Sequence, residues 1–303
     1  MARYAPIALV LALLAATAVA FALTESLKLE KSPITGTMVT KTFSPVCRCS
    51  SDVARIAFRL RTANRLRVAI VDSGGRVVRT LVSGRRVPRG LTAVTWDGRD
   101  DAGQVLPDGS YKPRVHLSSD RRTILLPNPI RLDTHPPRAA IVSVKPQVFT
   151  PGFGRVTVAY RMSEPAHAIL YVNGVQRVHS RFYPSRGTVQ WFGRIGNVQL
   201  PAATYRLQLA GLDLAGNLGR RTGPTPVRIR YIEPERSLVR ARAGAPLLVR
   251  YRPALPVRWR LGSRSGYATS GAVRLRAPDQ PGRYVLFLTR GRHAARVTVV
   301  VVR

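Results

Sequence analysis

Four aspartates, Asp97, Asp100, Asp101 and Asp108, crowd the stretch VTWDGRDDAGQVLPDGSYKPRVHL (residues 94–117) of a 303-residue chain with only 15 acidic residues. Hard cations need several oxygen ligands, so such a cluster is a candidate calcium site. The spacing, however, does not follow the D-x-[DN]-x-[DN]-G order of a calcium loop. Asp97-Gly98 and Asp108-Gly109 suit tight turns, in which aspartate bonds its own backbone and glycine accepts positive φ. Turn chemistry is the reading taken, and no metal is assigned. Cys47 and Cys49 are the only cysteines. An even count in an exported chain favours a local disulfide, although Cys-x-Cys closes a strained and reducible loop. Free or intermolecular thiols and metal ligation remain the alternatives; zinc is disfavoured by the tight spacing and the absence of a nearby histidine. His116, His135, His167, His179 and His293 are dispersed, and nothing places a nucleophile, a base and a carboxylate together. G-x-S-x-G, H-E-x-x-H, the P-loop and the dinucleotide fingerprint are all missing. The sequence therefore assigns no catalytic residue and no cofactor.

The N-terminus bounds where this chemistry would operate. An uncharged apolar run extends from Tyr4 to Leu23, about the length of a bilayer span. The expectation is an uncleaved signal anchor over 1–23 followed by a polar stalk over 24–42. Cleavage at Ala18-Val19-Ala20 or Ala20-Phe21-Ala22 is the alternative. Either way the rest of the chain is expected outside the cytoplasm, as a single-pass membrane protein or a secreted one. The formal charge of +34 is carried almost wholly by arginine, since only Lys28, Lys31, Lys41, Lys112 and Lys145 are lysines. Such a charge predicts attraction to polyanions. The expected partners are the membrane, through the N-terminal helix, and an anionic cell-wall polymer or acidic envelope protein. Nucleic acid is disfavoured, because the charge is scattered and lacks interleaved stacking aromatics.

The elements that position these residues read as strands. Ile56, Phe58 and Leu60 alternate with Arg55, Ala57 and Arg59. Leu66, Val68 and Ile70 repeat the pattern, and Tyr111, Pro113, Val115 and Leu117 do so again. Asp72-Ser73-Gly74-Gly75 reads as a hairpin turn. FSPVCRCSSDVARIAFRL (43–60) is echoed by FTPGFGRVTVAYRM (149–162), and VTWDGRDDAGQVLPDGSY (94–111) by VQWFGRIGNVQLPAATY (189–205). In both copies Trp leads to Gly-Arg, Leu-Pro and Tyr, whereas three aspartate positions become Phe192, Ile195 and Ala202. PGRYVLFLTRGRHAARVTVVVV (281–302) is a fainter third copy. Trp96, Tyr111, Trp191, Tyr205 and Tyr284 are expected in the cores of separate units. The fold expected is all-β, with tandem Ig-like β-sandwiches after an N-terminal hydrophobic helix: 43–133, 138–232 and 235–303.

Phe43-Ser44-Pro45, VAIVDSGGRVVRTLV and TWDGRDDAGQVLPDGSY together resemble the FlgD-type Ig-like module over residues 43 to about 118. Residues 140–230 resemble a diverged second copy, with DLAGN (213–217) similar to the strand-end motif of bacterial Ig-like domains. The third unit resembles only a generic Ig-like sandwich. The resemblance implies a structural or binding role and carries over no catalytic residue. An apolar run precedes the module here, so a part in flagellar hook assembly does not follow. The expectation is a non-catalytic envelope spacer or binding scaffold. An accessory polysaccharide-binding module, or a basic extracytoplasmic nucleic-acid binder, is the alternative.

Overall fold

The computed structural model describes residues 10–21 and 32–303. Residues 10–21 form a helix whose apolar side chains, among them Leu11, Leu14 and Phe21, are exposed. Among the described residues no helix is long and apolar enough to cross a membrane, and the Tyr4–Leu23 run extends beyond them at both ends. The membrane-spanning expectation therefore lies partly outside the described residues.

Residues up to Thr134 make one compact unit and His135–Arg303 a second. In the first unit a three-stranded sheet runs in the order Ile34–Val39, Ala54–Leu60, Gly90–Trp96. The facing sheet runs Thr42–Phe43, Ile130–Leu132, Gly109–Leu117, Asn64–Val71, Val77–Val87, with Arg122–Leu125 added on Gly109–Leu117. Alternation sets which faces meet: Ile56, Phe58, Leu66, Val68, Ile70 and Val115 are fully buried, whereas Arg55, Arg59, Arg65 and Arg67 point to solvent. The Asp72 hairpin closes as expected, with Asp72 Oδ1 accepting from the amides of Gly74 (3.0 Å) and Arg76 (2.9 Å). Gly75 sits there at φ 78°, in the left-handed region. Residues 34–39 correct the expected stalk. They pair antiparallel with Ala54–Leu60 and bury Ile34, so the sandwich begins inside the range 24–42.

The second unit holds two sandwiches of the same plan. One has a three-stranded sheet in the order Ala139–Lys145, Val156–Met162, Arg186–Trp191. Its partner sheet is Val148–Phe149, Thr225–Ile229, Thr204–Leu212, His167–Val172, Val175–His179. The other has Glu233–Pro234, Pro246–Arg252, Ala272–Arg276 against Leu238–Arg242, His293–Val302, Gly282–Arg290, Val257–Leu261, Arg264–Ala268. In each of the three copies the first strand of the larger sheet pairs parallel with the last strand of that copy. The connection between the last two sandwiches is packed: the Tyr231 ring stacks on His293 (centroids 3.4 Å, interplanar 11°) and the Arg290 guanidinium lies 3.4 Å from the Phe153 centroid. The 138–232 and 235–303 modules thus share one compact unit.

Candidate functional site

The repeated motif residues converge in each of the first two copies. Trp96 is fully buried, with Phe43 and Tyr111 at centroid distances of 5.3 and 5.2 Å. Trp191 stands likewise between Phe149 (5.7 Å) and Tyr205 (5.5 Å). The glycine two residues after each Trp has positive φ, 74° at Gly98 and 68° at Gly193. It also abuts the proline of the Phe-x-Pro motif: a Cβ on Gly98 would lie 2.9 Å from Pro45, and one on Gly193 2.7 Å from Pro151. Its carbonyl accepts the amide of the following leucine, Leu106 or Leu200, at 2.9 Å in both copies. The tyrosine hydroxyl then donates back to the proline carbonyl four residues upstream, Tyr111 to Pro107 (2.7 Å) and Tyr205 to Pro201 (3.0 Å). Burial raises the pKa of both tyrosines; at Tyr111 the Asp72 and Asp108 carboxylates push the same way.

The aspartates serve this frame from four separate places. Asp97 Oδ1 accepts the Arg99 amide (3.2 Å), Asp100 Oδ1 that of Gln104 (2.8 Å), and Asp101 Oδ1 that of Thr80 (3.0 Å). Asp108 Oδ1 takes both the amide (2.9 Å) and the hydroxyl (2.8 Å) of Thr134. Each carboxylate closes a turn or ties two segments, which is the chemistry Asp-Gly spacing favours. The second copy builds the same frame with Phe192, Ile195 and Ala202 at three of these positions.

The third copy carries its tryptophan in a different place from the first two. Tyr284 keeps the tyrosine link, donating to the Gln280 carbonyl four residues upstream (2.9 Å), and is half-buried against the third core. Trp259 lies on the Val257–Leu261 strand, which matches Asn64–Val71 rather than the strand bearing Trp96. It is half-buried and is therefore no equivalent of the other two tryptophans.

Cys47 and Cys49 are joined by a disulfide, with Cα atoms 5.2 Å apart. It lies in a loop whose Ser44 amide donates to the Ser51 carbonyl (3.1 Å). The histidines engage local partners: His116 Nδ1 is 2.9 Å from Thr123 Oγ1, and His167 Nδ1 is 2.9 Å from the Ser180 carbonyl. His135 is exposed. Burial, with Arg292 adding to it, holds the His293 pKa below the ordinary histidine value. An aromatic cluster has no counterpart in the sequence expectations. His167 meets His179 and Tyr183 edge-on at 5.2 and 5.3 Å, and Tyr183 and Phe182 are both exposed. The HSRFYPS run, with two aromatics in a polar turn, was the available signal.

Arginine dominates the surface, and the modules differ in how it is answered. In the first unit Arg76 pairs with Asp72 (3.1 Å), and Arg79 donates to the Asp100 carbonyl (2.6 Å) beside Asp101. In the second, Arg228 and Arg230 both meet Glu233, and Arg252 meets Glu235 at 3.3 Å. From Leu238 onward the chain has 14 arginines and one acid, Asp279.

These features define a class: a chain of Ig-like β-sandwiches, each with a three-stranded and a five-stranded core sheet. Within it, residues 46–121 match the family model of the FlgD Ig-like domain, so the first module is a FlgD-type Ig-like domain. The basal-body rod modification protein FlgD of Salmonella typhimurium is 36% identical over 69 residues, covering 23% of this chain and 29% of that protein. The same values hold for FlgD of Salmonella typhi. The chain thus spans less than a third of the length of these curated relatives. Among solved structures, FlgD from P. aeruginosa is similar at 23% identity, over 43% of this chain and 89% of that one, with a TM-score of 0.24. The fibronectin(III)-like modules of Clostridium thermocellum CbhA are similar at 12% identity, over 64% and 93%, with a TM-score of 0.34.

Proposed function

We propose that the chain is a non-catalytic scaffold of a bacterial cell envelope. Its N-terminal apolar segment anchors or exports it, and its sandwiches hold basic faces toward an anionic partner, a wall polymer or an acidic envelope protein. The observation that carries this reading is how the reactive residue types are used. The aspartates close turns, the cysteines bond each other, and the arginines occupy outward strand faces. The helix at residues 10–21 exposes Leu11, Leu13, Leu14 and Phe21, which suits a lipid environment or a segment spent in export. Fractionation of cells producing the full chain tests the reading. Recovery with the envelope, with the sandwiches open to protease added outside the cytoplasmic membrane, is expected. Recovery in the cytoplasm, protected from that protease, overturns it.

A second reading has one observation in its favour. Phe182 and Tyr183 are exposed side by side near His167 and His179, an aromatic surface of the kind that stacks on sugar rings. Binding of a neutral wall polysaccharide that is lost in Tyr183→Ala and unaffected by salt would favour an accessory polysaccharide-binding module over the scaffold held by charge.

A further inference from the structure

We propose that the outward face of the larger sheet in the C-terminal sandwich binds an extended polyol-phosphate polymer of the envelope, and this rests on the scaffold reading. Strand register assembles the face. Arg260, Phe287 and Arg296 are cross-strand partners in one row, and Arg283, Val300 and Arg240 in another. Paired residues project from the same side of a sheet, so these arginines, with Arg242 and Arg258 at i+2 and i−2 on their strands, share one surface. All six are exposed.

The central row is held in place. The guanidinium carbons of Arg260 and Arg296 lie 5.0 and 5.5 Å from the Phe287 ring centroid, one from each neighbouring strand. Cation–π contact fixes the level of the two planar groups and leaves their N–H edges to an outside acceptor. Among the described residues no carboxylate pairs with any of the six. Asp279, the one acid after Leu238, belongs to the segment between strands, beside Gly244. Six like charges on one face repel one another, and a polyanion relieves that repulsion with release of its counterions.

Spacing and chemistry narrow the occupant. Alternate residues on a strand are about 7 Å apart and neighbouring strands about 4.8 Å, so the face is a regular grid of charges matched to a repeating anion. Guanidinium groups engage phosphate oxygens in a bidentate fork, which favours phosphate as that anion. Single-stranded nucleic acid needs successive free aromatic platforms. Here Phe287 is half-buried beneath two guanidiniums, leaving Tyr267, 78% exposed, as the open ring. A phosphodiester chain without bases fits the face better.

The test uses the full chain and three probes: poly(glycerol phosphate), single-stranded DNA and vesicles of anionic phospholipid. The double variant Arg260→Gln/Arg296→Gln is compared with Arg250→Gln/Arg274→Gln, which removes the same charge from the opposite, three-stranded sheet of the same sandwich. The wild type is expected to bind poly(glycerol phosphate) most tightly. The first variant should lose about tenfold in affinity, with the slope of log K against log salt shallower by about two. The second should change less than about twofold. Equal losses in the two variants, or tighter binding to DNA or vesicles than to the polymer, overturn the proposal. Envelope recovery without polymer binding removes this inference and leaves the scaffold reading standing, whereas cytoplasmic recovery removes the scaffold reading itself.

Discussion

The Trp-to-Tyr segments of the first two sandwiches reach one geometry from different turn residues. In residues 94–111 four carboxylates bind backbone amides around Trp96. In residues 189–205 Arg194–Ile195 pairs with Val198–Gln199 and closes the loop without them, as Arg99 pairs with Val105 in the first copy. What both retain is Phe-x-Pro, Trp-x-Gly, Leu-Pro and Tyr, and each of these makes the same contact in both copies. The frame is therefore the packing of the two aromatics and the proline on the tryptophan beneath a shared backbone pairing, and the aspartates reinforce that loop in the first copy alone. One further difference is energetic. Trp96 Nε1 donates to the Arg99 carbonyl at 3.0 Å, whereas Trp191 Nε1 is buried without a partner among the described residues.

Removing the tryptophans should have the largest effect. Trp96→Ala and Trp191→Ala should each cost about 3–5 kcal/mol in their own sandwich, because each leaves a cavity between two rings. Hydrogen exchange resolved by peptide on the full chain reads the loss module by module. Trp→Phe separates the copies. At 96 it strands the Arg99 carbonyl and should cost about 1 kcal/mol more than at 191, where no bond is lost. Equal costs would show that the tryptophan bond does not distinguish the two frames.

The next largest effect is expected at the glycines. Gly98→Ala and Gly193→Ala each set a Cβ against proline carbon and force a left-handed backbone, a cost of about 1–3 kcal/mol. Gly193→Ala should be the worse, since Phe149 crowds it at 2.8 Å as well as Pro151 at 2.7 Å. Thermal unfolding of each variant, followed through its own module, checks the order. A milder effect at 193 would mean that the second copy yields more easily than its contacts imply.

Much of this frame was legible in the sequence. Alternation marks the buried strand faces, and the two copies share in sequence the tryptophans, glycines and tyrosines that make the frame. Ile34–Val39 was hidden by local irregularity: its pairing shifts register between Thr35 and Met38, and Gly36 adopts φ 59°, so no clean period of two survives. The common sheet order of the third copy was hidden because its tryptophan sits on a different strand, leaving Tyr284 as the one shared mark. Its arginine face was equally out of reach. Arg260, Phe287 and Arg296 are distant in sequence, and cross-strand register alone sets them in a row. The aromatic turn at Phe182 and Tyr183 was legible only as two aromatics within the polar run HSRFYPS, because sequence does not tell an exposed ring from a buried one.

The smallest effect belongs to the tyrosine hydroxyls, and it carries a sign in pH. Tyr111→Phe and Tyr205→Phe each delete one bond to a proline carbonyl, about 1 kcal/mol near neutral pH. Burial raises both folded-state pKa values above the unfolded value near 10. The unfolded chain therefore releases the phenolic proton first. The stabilisation from the neutral hydroxyl is complete below about 10 and is lost as pH climbs through the folded value. Substitution by phenylalanine removes a group that ionises, so each variant should be less stable than the wild type at pH 7 and should show a weaker loss on going to alkaline pH. The carboxylates of Asp72 and Asp108 add to the shift at Tyr111 and have no counterpart in the causes acting on Tyr205. High salt should accordingly flatten the alkaline loss in the first module more than in the second. Spectrophotometric titration of the phenols alongside urea melts at several pH values reads both quantities. An identical salt response in the two modules would show that the aspartates leave no electrostatic mark on the frame they close.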